Sequence, residues 1–226
     1  KPWKTIERVS GNVAETLDAK ELLAEIAKNA WRTGDPGIQF NTTINRWHTC
    51  KSSGPITGSN PCSEYMFLSD SACNLASLNL LKFRAEDGEF EVDAFTDAVD
   101  ILFTAQEIIV DNAGYPNEAL TKNSHDFRPL GLGYANLGAL LMSQGWAYDS
   151  DIGRGYAAAI TALMGGAAYA QSARIARTKG YFKAYPENKE SMREVMGLHS
   201  NALKEIDEDL VPSSLLEGAH KAWESA

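Results

Sequence analysis

The sequence predicts a mixed α/β fold, and two kinds of segment support that prediction. Short, mostly apolar runs of strand length, "EYMFL" and "NLASLNLLKF", lie between long segments with helical periodicity. The longest helical pattern, at 152–178, is rich in Ala and Gly, and small residues let a neighbouring element approach closely. Strands that alternate with helices are typical of α/β proteins.

The first 60 residues are predicted to hold one clear helix. Asp18 and Glu21 resemble a capping box, apolar residues then recur at helical spacing, and Gly34 follows, so a helix is expected at 19–33. The next segment, "GDPG", predicts a turn, and "IQF" is a short strand candidate. Residues 41–59 are polar and predict a loop.

Further along the chain, helices are expected to dominate. Asp93 is expected to cap a helix that runs to about residue 113, "RPLGLG" predicts a strand and a turn, and 134–144 predicts a short helix. The segment from Pro186 onward has an acidic helical pattern, and a last helix is expected after Pro212. The strands are too few for a complete barrel. No linker divides the chain, so residues 1–226 are interpreted as a single structural unit.

Composition excludes some classes of function. The net charge of −9 and pI near 5.0 argue against a nucleic-acid polymer as partner, because phosphate binding needs clustered Lys and Arg. No apolar run is long enough to span a membrane, and the first residues lack a signal-peptide pattern. The odd count of 3 cysteines favours reduced thiols, and a cytoplasmic location is expected.

The stretch "SNPCSEYMFLSDSACNLASLNL" carries the most specific chemistry. In an extended segment, residues two positions apart point to the same side, so Asn60, Cys62 and Glu64 are expected to project together. Pro61 has no N–H and suggests a loop tip or an edge. A carboxylate beside a thiol opposes thiolate formation, so the set suits hydrogen-atom transfer by Cys62, with Glu64 as a general base. Cys73 would then be one thiol of a redox pair.

Two alternatives remain open from the residues alone. Both cysteines could be small buried residues, with Asn60 and Glu64 in ordinary turn and surface positions. A zinc site is a third interpretation, although the four candidate ligands lack the closely spaced C-x-x-C pairs of structural zinc sites. Those candidates are His48, Cys50, Cys62 and Cys73.

Several motifs together resemble one known family. "NPCSE", followed by "ACNLASLNL", is similar to the active-site loop of the ribonucleotide reductase large subunit. "AWRTGDPGIQFNTTIN", "DNAGYP" and "HDFRPLGLGYANLGALLM" resemble further family segments in the same order, so that the likeness covers most of residues 31–142. "NPC" and the spacing from Cys62 to Cys73 look most like the class II enzymes, which use adenosylcobalamin.

The resemblance implies a fold and a mechanism. The fold would be part of a ten-stranded α/β barrel with a central cysteine (finger) loop, followed by a helix-rich C-terminal half. Cys62 would carry a transient thiyl radical, Glu64 would accept the proton of the substrate 3′ hydroxyl, and Asn60 would bond the substrate hydroxyls or orient Glu64. Cys73 would be one of two reducing thiols. The implied partners are a ribonucleotide, a thiol reductant such as thioredoxin, a nucleotide effector and further copies of the chain.

The sequence also departs from the family pattern. No cysteine precedes Cys50, although the second reducing cysteine lies upstream in the family, and Cys50 itself has no family role. The chain ends at "HKAWESA", before the phosphate-binding segment that the family would place next. We therefore expect an internal fragment of a longer enzyme, inactive when isolated. The alternative is a catalytically silent scaffold or interaction module derived from such an enzyme.

Overall fold

The computed structural model describes residues 1–226, and the contacts divide the chain into two units, residues 1–41 and 42–226. Both units contain helix, and each contains one pair of strands. The predicted mixed α/β class is therefore confirmed.

The first unit is a strand hairpin followed by a helix. Strands β1 (Pro2–Ile6) and β2 (Val13–Asp18) pair antiparallel, with a register shift between Thr5 and Ile6. Helix α1 (Ala19–Thr33) begins at the predicted residue, because the Asp18 carboxylate accepts hydrogen bonds from the first free N–H groups. It ends at Gly34, which has φ 83° in the left-handed region that suits glycine. The hairpin was not predicted.

The second unit is mostly helical. The short helix α2 (Asn41–Arg46) leads into it, and a 3-10 turn (Lys51–Ser53) follows. The remaining strands and α-helices, in chain order, are β3 (Asn74–Asn79), α3 (Val92–Asn112), α4 (Glu118–Phe127), β4 (Leu130–Ala135), α5 (Leu137–Ser143), α6 (Asp151–Lys179), α7 (Tyr185–Ala202) and α8 (Ser213–Ser225).

Strands β3 and β4 are parallel neighbours, from the pair Asn74 and Leu130 to the pair Asn79 and Ala135. Helices α3 and α4 lie between them in the sequence and form the crossover that a parallel pair needs. Helix α3 packs against both strands. This β3–α3–α4–β4 arrangement sets the position of Cys73, the residue that precedes β3.

The core of the second unit lies between helices α3, α6 and α8. Phe95, Tyr156 and Leu163 are each no more than 1% exposed there. Aromatic rings meet edge to face, with centroids 5.1 Å apart for Phe83 and Phe95. The other fully buried members of this core are Leu80, Val99, Leu140, Leu141, Ala159, Ile160, Leu215 and Ala219.

Small residues let α6 and α8 approach closely, as the sequence predicts. A Cβ added to Gly166 would lie 2.8 Å from Ala222 Cβ and 2.9 Å from the Trp223 backbone nitrogen. The Trp223 indole N–H also donates to the Ala162 carbonyl oxygen, 2.9 Å away. The glycine and this hydrogen bond place α8 directly against the middle of α6.

Some predicted details are wrong. Residues 38–40 ("IQF") and 64–68 ("EYMFL") form no strand, and α3 begins at Val92, one residue before Asp93. The four strands form two separate two-stranded sheets and no closed barrel. None of the helices combines the length and the apolar character needed to cross a bilayer.

Candidate active site

The loop that carries Cys62 ends in a tight turn. The Tyr65 N–H donates to Asn60 Oδ1 (3.0 Å), and the Asn60 N–H donates to the Tyr65 carbonyl oxygen (3.4 Å). Within this closed span the Ser63 N–H donates to the Asn60 carbonyl oxygen (3.1 Å), and Ser63 has φ 62°. The prediction that Asn60, Cys62 and Glu64 share one side of an extended segment is therefore wrong, because the chain reverses direction between them.

The predicted loop tip is confirmed, and the thiol at the tip is accessible. Cys62 is an exposed free cysteine, and Glu64 is exposed as well. Asn60 is half-buried, and its side-chain oxygen is engaged by the Tyr65 N–H. The Asn60 amide NH2 is the part of this side chain that can donate to another group.

Aromatic packing and hydroxyl hydrogen bonds anchor the base of the loop. The Tyr65 hydroxyl meets Ser71 Oγ at 2.8 Å, and the Ser71 hydroxyl donates to the Leu68 carbonyl oxygen at 2.5 Å. The Phe67 ring lies edge to face between His48 (5.7 Å) and Phe127 (5.6 Å). Burial raises the pKa of Tyr65 to about 12, so its hydroxyl keeps its proton at neutral pH. These hydrogen bonds and ring contacts hold the residues that follow the tip of the loop.

Cys73 lies in a different environment from Cys62. It is half-buried at the start of β3, and its Sγ donates to the Asn74 carbonyl oxygen at 3.5 Å. Burial, together with the negative charge of Glu64, raises the pKa of Cys73 to about 11. The structure thus brings Glu64 within electrostatic reach of Cys73. Both cysteines are free thiols, so no disulfide joins them.

A cavity of about 420 Å³ lies at the base of the loop. Tyr65 and Phe67 line it from the loop, and Tyr169 and His199 line it from the helices. Cys62 and Glu64 are not among its lining residues. The base of the loop therefore forms part of the cavity wall, whereas the tip does not.

The zinc interpretation is not supported by the geometry. His48 is buried, its Nε2 meets the Gly54 carbonyl oxygen at 3.0 Å, and its Nδ1 accepts the Cys50 N–H at 3.4 Å. Burial lowers the pKa of His48 and raises that of Cys50. No three His, Cys, Asp or Glu side chains are grouped so as to hold a metal ion. His48 and Cys50 instead stabilise the segment before the loop.

Sequence reasoning missed the residues behind Cys73. Gln106 on α3 is 2% exposed, and its side-chain amide donates to backbone carbonyl oxygens of both β3 and β4. One sequence signal could have revealed it, because Gln106 continues the apolar stripe of Phe95, Val99 and Leu102 at helical spacing. A polar residue on the buried face of a helix needs a hydrogen-bonding partner.

Comparison with protein families places the chain in a class, the barrel domain of ribonucleotide reductase. Residues 2–226 match the family model described as "Ribonucleotide reductase, barrel domain". The chain belongs to this family, and the resemblance found in the sequence is confirmed.

Named relatives make the assignment more specific. The chain is 52% identical to a protein of Rhodopirellula baltica over 91% of its length, and 47% identical to one of Streptomyces avermitilis over 96%. Both relatives are named vitamin B12-dependent ribonucleotide reductase. A relative from Mycobacterium tuberculosis, 32% identical over 80% of the chain, is named vitamin B12-dependent ribonucleoside-diphosphate reductase. The alignments cover only 20%, 23% and 26% of these three relatives.

Proposed function

We propose that residues 1–226 are a single part of the catalytic barrel domain of a longer, adenosylcobalamin-dependent ribonucleotide reductase. This enzyme would reduce ribonucleotides to 2′-deoxyribonucleotides, and further strands of the longer protein would complete a ten-stranded barrel around the cysteine loop. The family match over residues 2–226 and the names of the relatives support the proposal. The observation that carries it is the exposed Cys62 thiol on a turn closed by Asn60 and Tyr65.

Cys62 would hold the thiyl radical that removes the hydrogen from the ribose 3′ carbon. Its accessible sulfur fits adenosylcobalamin, because a radical generator must reach the S–H group that it oxidises. When bound, adenosylcobalamin would supply the organic radical chemistry. Cys62 would be the residue of this chain that faces the cofactor.

Glu64 and Asn60 would act on the substrate hydroxyls. Glu64 is exposed two residues from Cys62 and would accept the proton of the 3′ hydroxyl as a general base. Because the Asn60 side-chain oxygen is engaged by Tyr65, only its amide NH2 would donate to a substrate hydroxyl or to Glu64.

Cys73 would supply one of two reducing thiols. The two thiols would give up two protons and two electrons and form a disulfide; one proton would leave with the 2′ hydroxyl as water, and the 2′ carbon would be left with a C–H bond in place of its C–O bond. The high pKa of Cys73 suits this role, because the thiol must carry its hydrogen until the substrate radical forms. A dithiol reductant such as thioredoxin would restore the pair by thiol exchange.

The substrate of the enzyme would be a ribonucleotide. The proposed partners are a nucleotide effector and further copies of the chain. The free cysteines support a cytoplasmic location.

An anaerobic assay of ribonucleotide reduction tests this function in the full-length protein. With a dithiol reductant, turnover should require adenosylcobalamin. Replacing Cys62→Ser should abolish turnover, because a hydroxyl does not give up its hydrogen atom as a thiol does. The variant should keep its fold, since Cys62 is exposed and packs in no core.

Cys50→Ala is the matched control, because Cys50 is buried in the segment before the loop and takes no part in the proposed chemistry. This variant should retain turnover if circular dichroism shows a native fold. Near-normal activity of Cys62→Ser would refute the proposed radical site. The silent-scaffold alternative is not favoured, since the loop presents Cys62 accessibly, but absence of turnover with every cofactor would support it.

A further inference from the structure

A buried amide ties the two parallel strands together directly behind Cys73. Gln106 Nε2 donates to the Asn74 carbonyl oxygen (3.1 Å) on β3 and to the Gly131 carbonyl oxygen (2.6 Å) on β4. In return, Asn74 Nδ2 donates to the Gln106 main-chain oxygen (3.2 Å). Helix α3 is therefore joined to both strands at the point where Cys73 enters β3.

The orientation of this amide is fixed by its surroundings. If the Gln106 amide were reversed, its oxygen would face two carbonyl oxygens and repel both. In the observed orientation, Gln106 Oε1 and Asn74 Oδ1 are buried without a hydrogen-bonding partner. The two side-chain oxygens are thus left without hydrogen bonds, whereas the Asn74 carbonyl oxygen is held by Gln106. Buried polar atoms are rarely left without a partner, so the two oxygens need an explanation.

The absence of a side chain at Gly131 provides the space for the Cys73 sulfur. A Cβ at this position would lie 2.8 Å from Cys73 Sγ and 2.3 Å from Leu75 Cδ2. The exposed Leu75 side chain could rotate away, but Cys73 Sγ would have to leave the site where it bonds the Asn74 carbonyl oxygen. At Gly133, two residues later on the same strand, a Cβ would meet only Ser77 Oγ, at an ordinary 3.7 Å.

We propose that Gln106 and Gly131 are positioning residues for the Cys73 thiol, a role that rests on the proposed function of Cys73 as a reducing thiol. Gly131 leaves room for the sulfur. Gln106 shares the Asn74 carbonyl oxygen with the thiol, so the S–H bond to that oxygen is weaker than it would be alone. Together they determine how readily Cys73 gives up its hydrogen. The titratable groups that interact with Cys73 are Glu64 and Tyr65, both on the loop.

The two residues should affect the thiol in opposite directions. Gln106→Met leaves the Asn74 carbonyl to the thiol alone and removes an N–H dipole, and both changes favour the protonated sulfur. Gly131→Ala displaces the sulfur from its hydrogen bond to the Asn74 carbonyl oxygen, and the loss of that bond favours the thiolate. A general loosening of the strands would instead move both variants in the same direction.

The test is the rate of alkylation of Cys73 by iodoacetamide in the full-length protein, read by mass spectrometry of the peptide that contains it. At about pH 9, below the thiol pKa, the rate follows the thiolate fraction, and it changes about tenfold when that pKa rises or falls by about one. We expect Gln106→Met to slow the reaction by about threefold or more and Gly131→Ala to accelerate it by about tenfold.

Each variant has a matched control. Gly133→Ala adds the same methyl group to the same strand, and Gln171→Met removes a glutamine that bonds Thr104 across α6 and α3 without touching β3. Both controls should stay within about twofold of the unmodified protein. Equal behaviour of variants and controls, or changes of the same sign in Gln106→Met and Gly131→Ala, would overturn the proposal. If Gln106→Met fails to fold, the Gly131→Ala variant is sufficient by itself: an unchanged or slower alkylation rate of its Cys73 would overturn the proposal.

This measurement is separate from the proposed function because alkylation requires no turnover. If the full-length protein reduces no ribonucleotide, the proposed function is wrong. The alkylation rates would still measure how Gln106 and Gly131 affect the thiolate fraction of Cys73. In an active enzyme, Gln106→Met should lower kcat and leave KM for the ribonucleotide unchanged, since Gln106 is buried and bonds the carbonyl oxygen to which the thiol donates.

Discussion

Asp126 connects the end of α4 to the segment before α7 through its side chain and its backbone. Its carboxylate accepts hydrogen bonds from Lys122 Nζ and Lys183 Nζ, each at 2.8 Å, and its carbonyl oxygen accepts the Ala184 N–H at 3.0 Å. The two ammonium groups lower the pKa of Asp126. The carboxylate is 13% exposed, whereas both lysines lie largely in solvent, so the ion pairs are screened.

We predict that Asp126→Asn lowers the free energy of unfolding by about 1 kcal/mol at neutral pH. Because the pKa is lowered in the folded state, the stabilisation is present above the ordinary carboxyl pKa and is lost as pH falls through the lower folded value. The difference between the two proteins should be constant near neutrality and shrink below about pH 4. Urea titrations over this pH range measure it, and the exposed Asp149→Asn is the control. A difference that grows towards acid would contradict the assignment.

At the residue scale, the sequence singles out the candidate site residues, but it does not predict their arrangement. Asn60, Cys62 and Glu64 stand out by type and spacing, whereas the turn between them depends on a left-handed Ser63 and on the hydrogen bonds of Asn60 with Tyr65. Ser63 is neither glycine nor asparagine, so nothing in the local sequence announces a positive φ. The close approach of Cys73 to Gly131 is not predictable from local sequence either, because 58 positions separate the two residues.

Some glycines within helices lie against a neighbouring helix, and others face open space. Gly166 lies against α8, where a methyl group would come within 2.8 Å of Ala222 Cβ. Gly197 lies on the exposed side of α7, and a Cβ there would have nothing within 4 Å. The same substitution should therefore have opposite effects at the two positions.

We predict that Gly166→Ala destabilises the protein by about 1–3 kcal/mol, because the added methyl group forces α6 and α8 apart. Gly197→Ala should stabilise it by about 0.5–1 kcal/mol, since alanine loses less conformational entropy in a helix. Thermal unfolding, monitored by circular dichroism, measures the stability of both variants. Stabilisation by Gly166→Ala would show that the two helices are not in close contact.

At the element scale, the helices were predictable because their signals are local. Asp18 fixes the start of α1 and Gly34 its end, and the Ala/Gly-rich pattern at 152–178 differs from α6 (Asp151–Lys179) by one residue at each end. The hairpin of β1 and β2 was missed because nearly every residue in it is exposed, so no alternation of buried and exposed positions marks it. The run "EYMFL" looks like a strand, but side-chain hydrogen bonds and ring contacts hold it as a loop.

At the scale of the whole molecule, burial is distributed unevenly between the two units. No residue in 1–41 is buried, whereas the middle of α6 contains Ala159, Ile160 and Leu163, each at most 1% exposed. Amides in a buried core exchange through global unfolding, and amides of exposed elements exchange through local opening.

We predict that, in this 226-residue chain, amides of β1, β2 and α1 exchange with solvent deuterium much faster than those in the middle of α6. Hydrogen exchange followed by mass spectrometry of peptic peptides measures this directly. The helix α1 peptide is the informative one, because it is a regular helix of 15 residues with none of them buried. Equal protection of α1 and α6 would show that the first 41 residues unfold together with the rest of the chain.

The hydrogen bonds that close the loop between Asn60 and Tyr65 also have an entropic consequence. They restrict the backbone torsions around Cys62 when the chain folds, so this part of the ordering is complete before any ligand arrives. In the proposed reaction, a disordered loop would have to be ordered at every catalytic cycle, and that loss of conformational freedom would appear as an unfavourable activation entropy. For the proposed reaction, the hydrogen bonds of Asn60 thus shift the ordering of the thiol from the catalytic cycle to the folding of the protein.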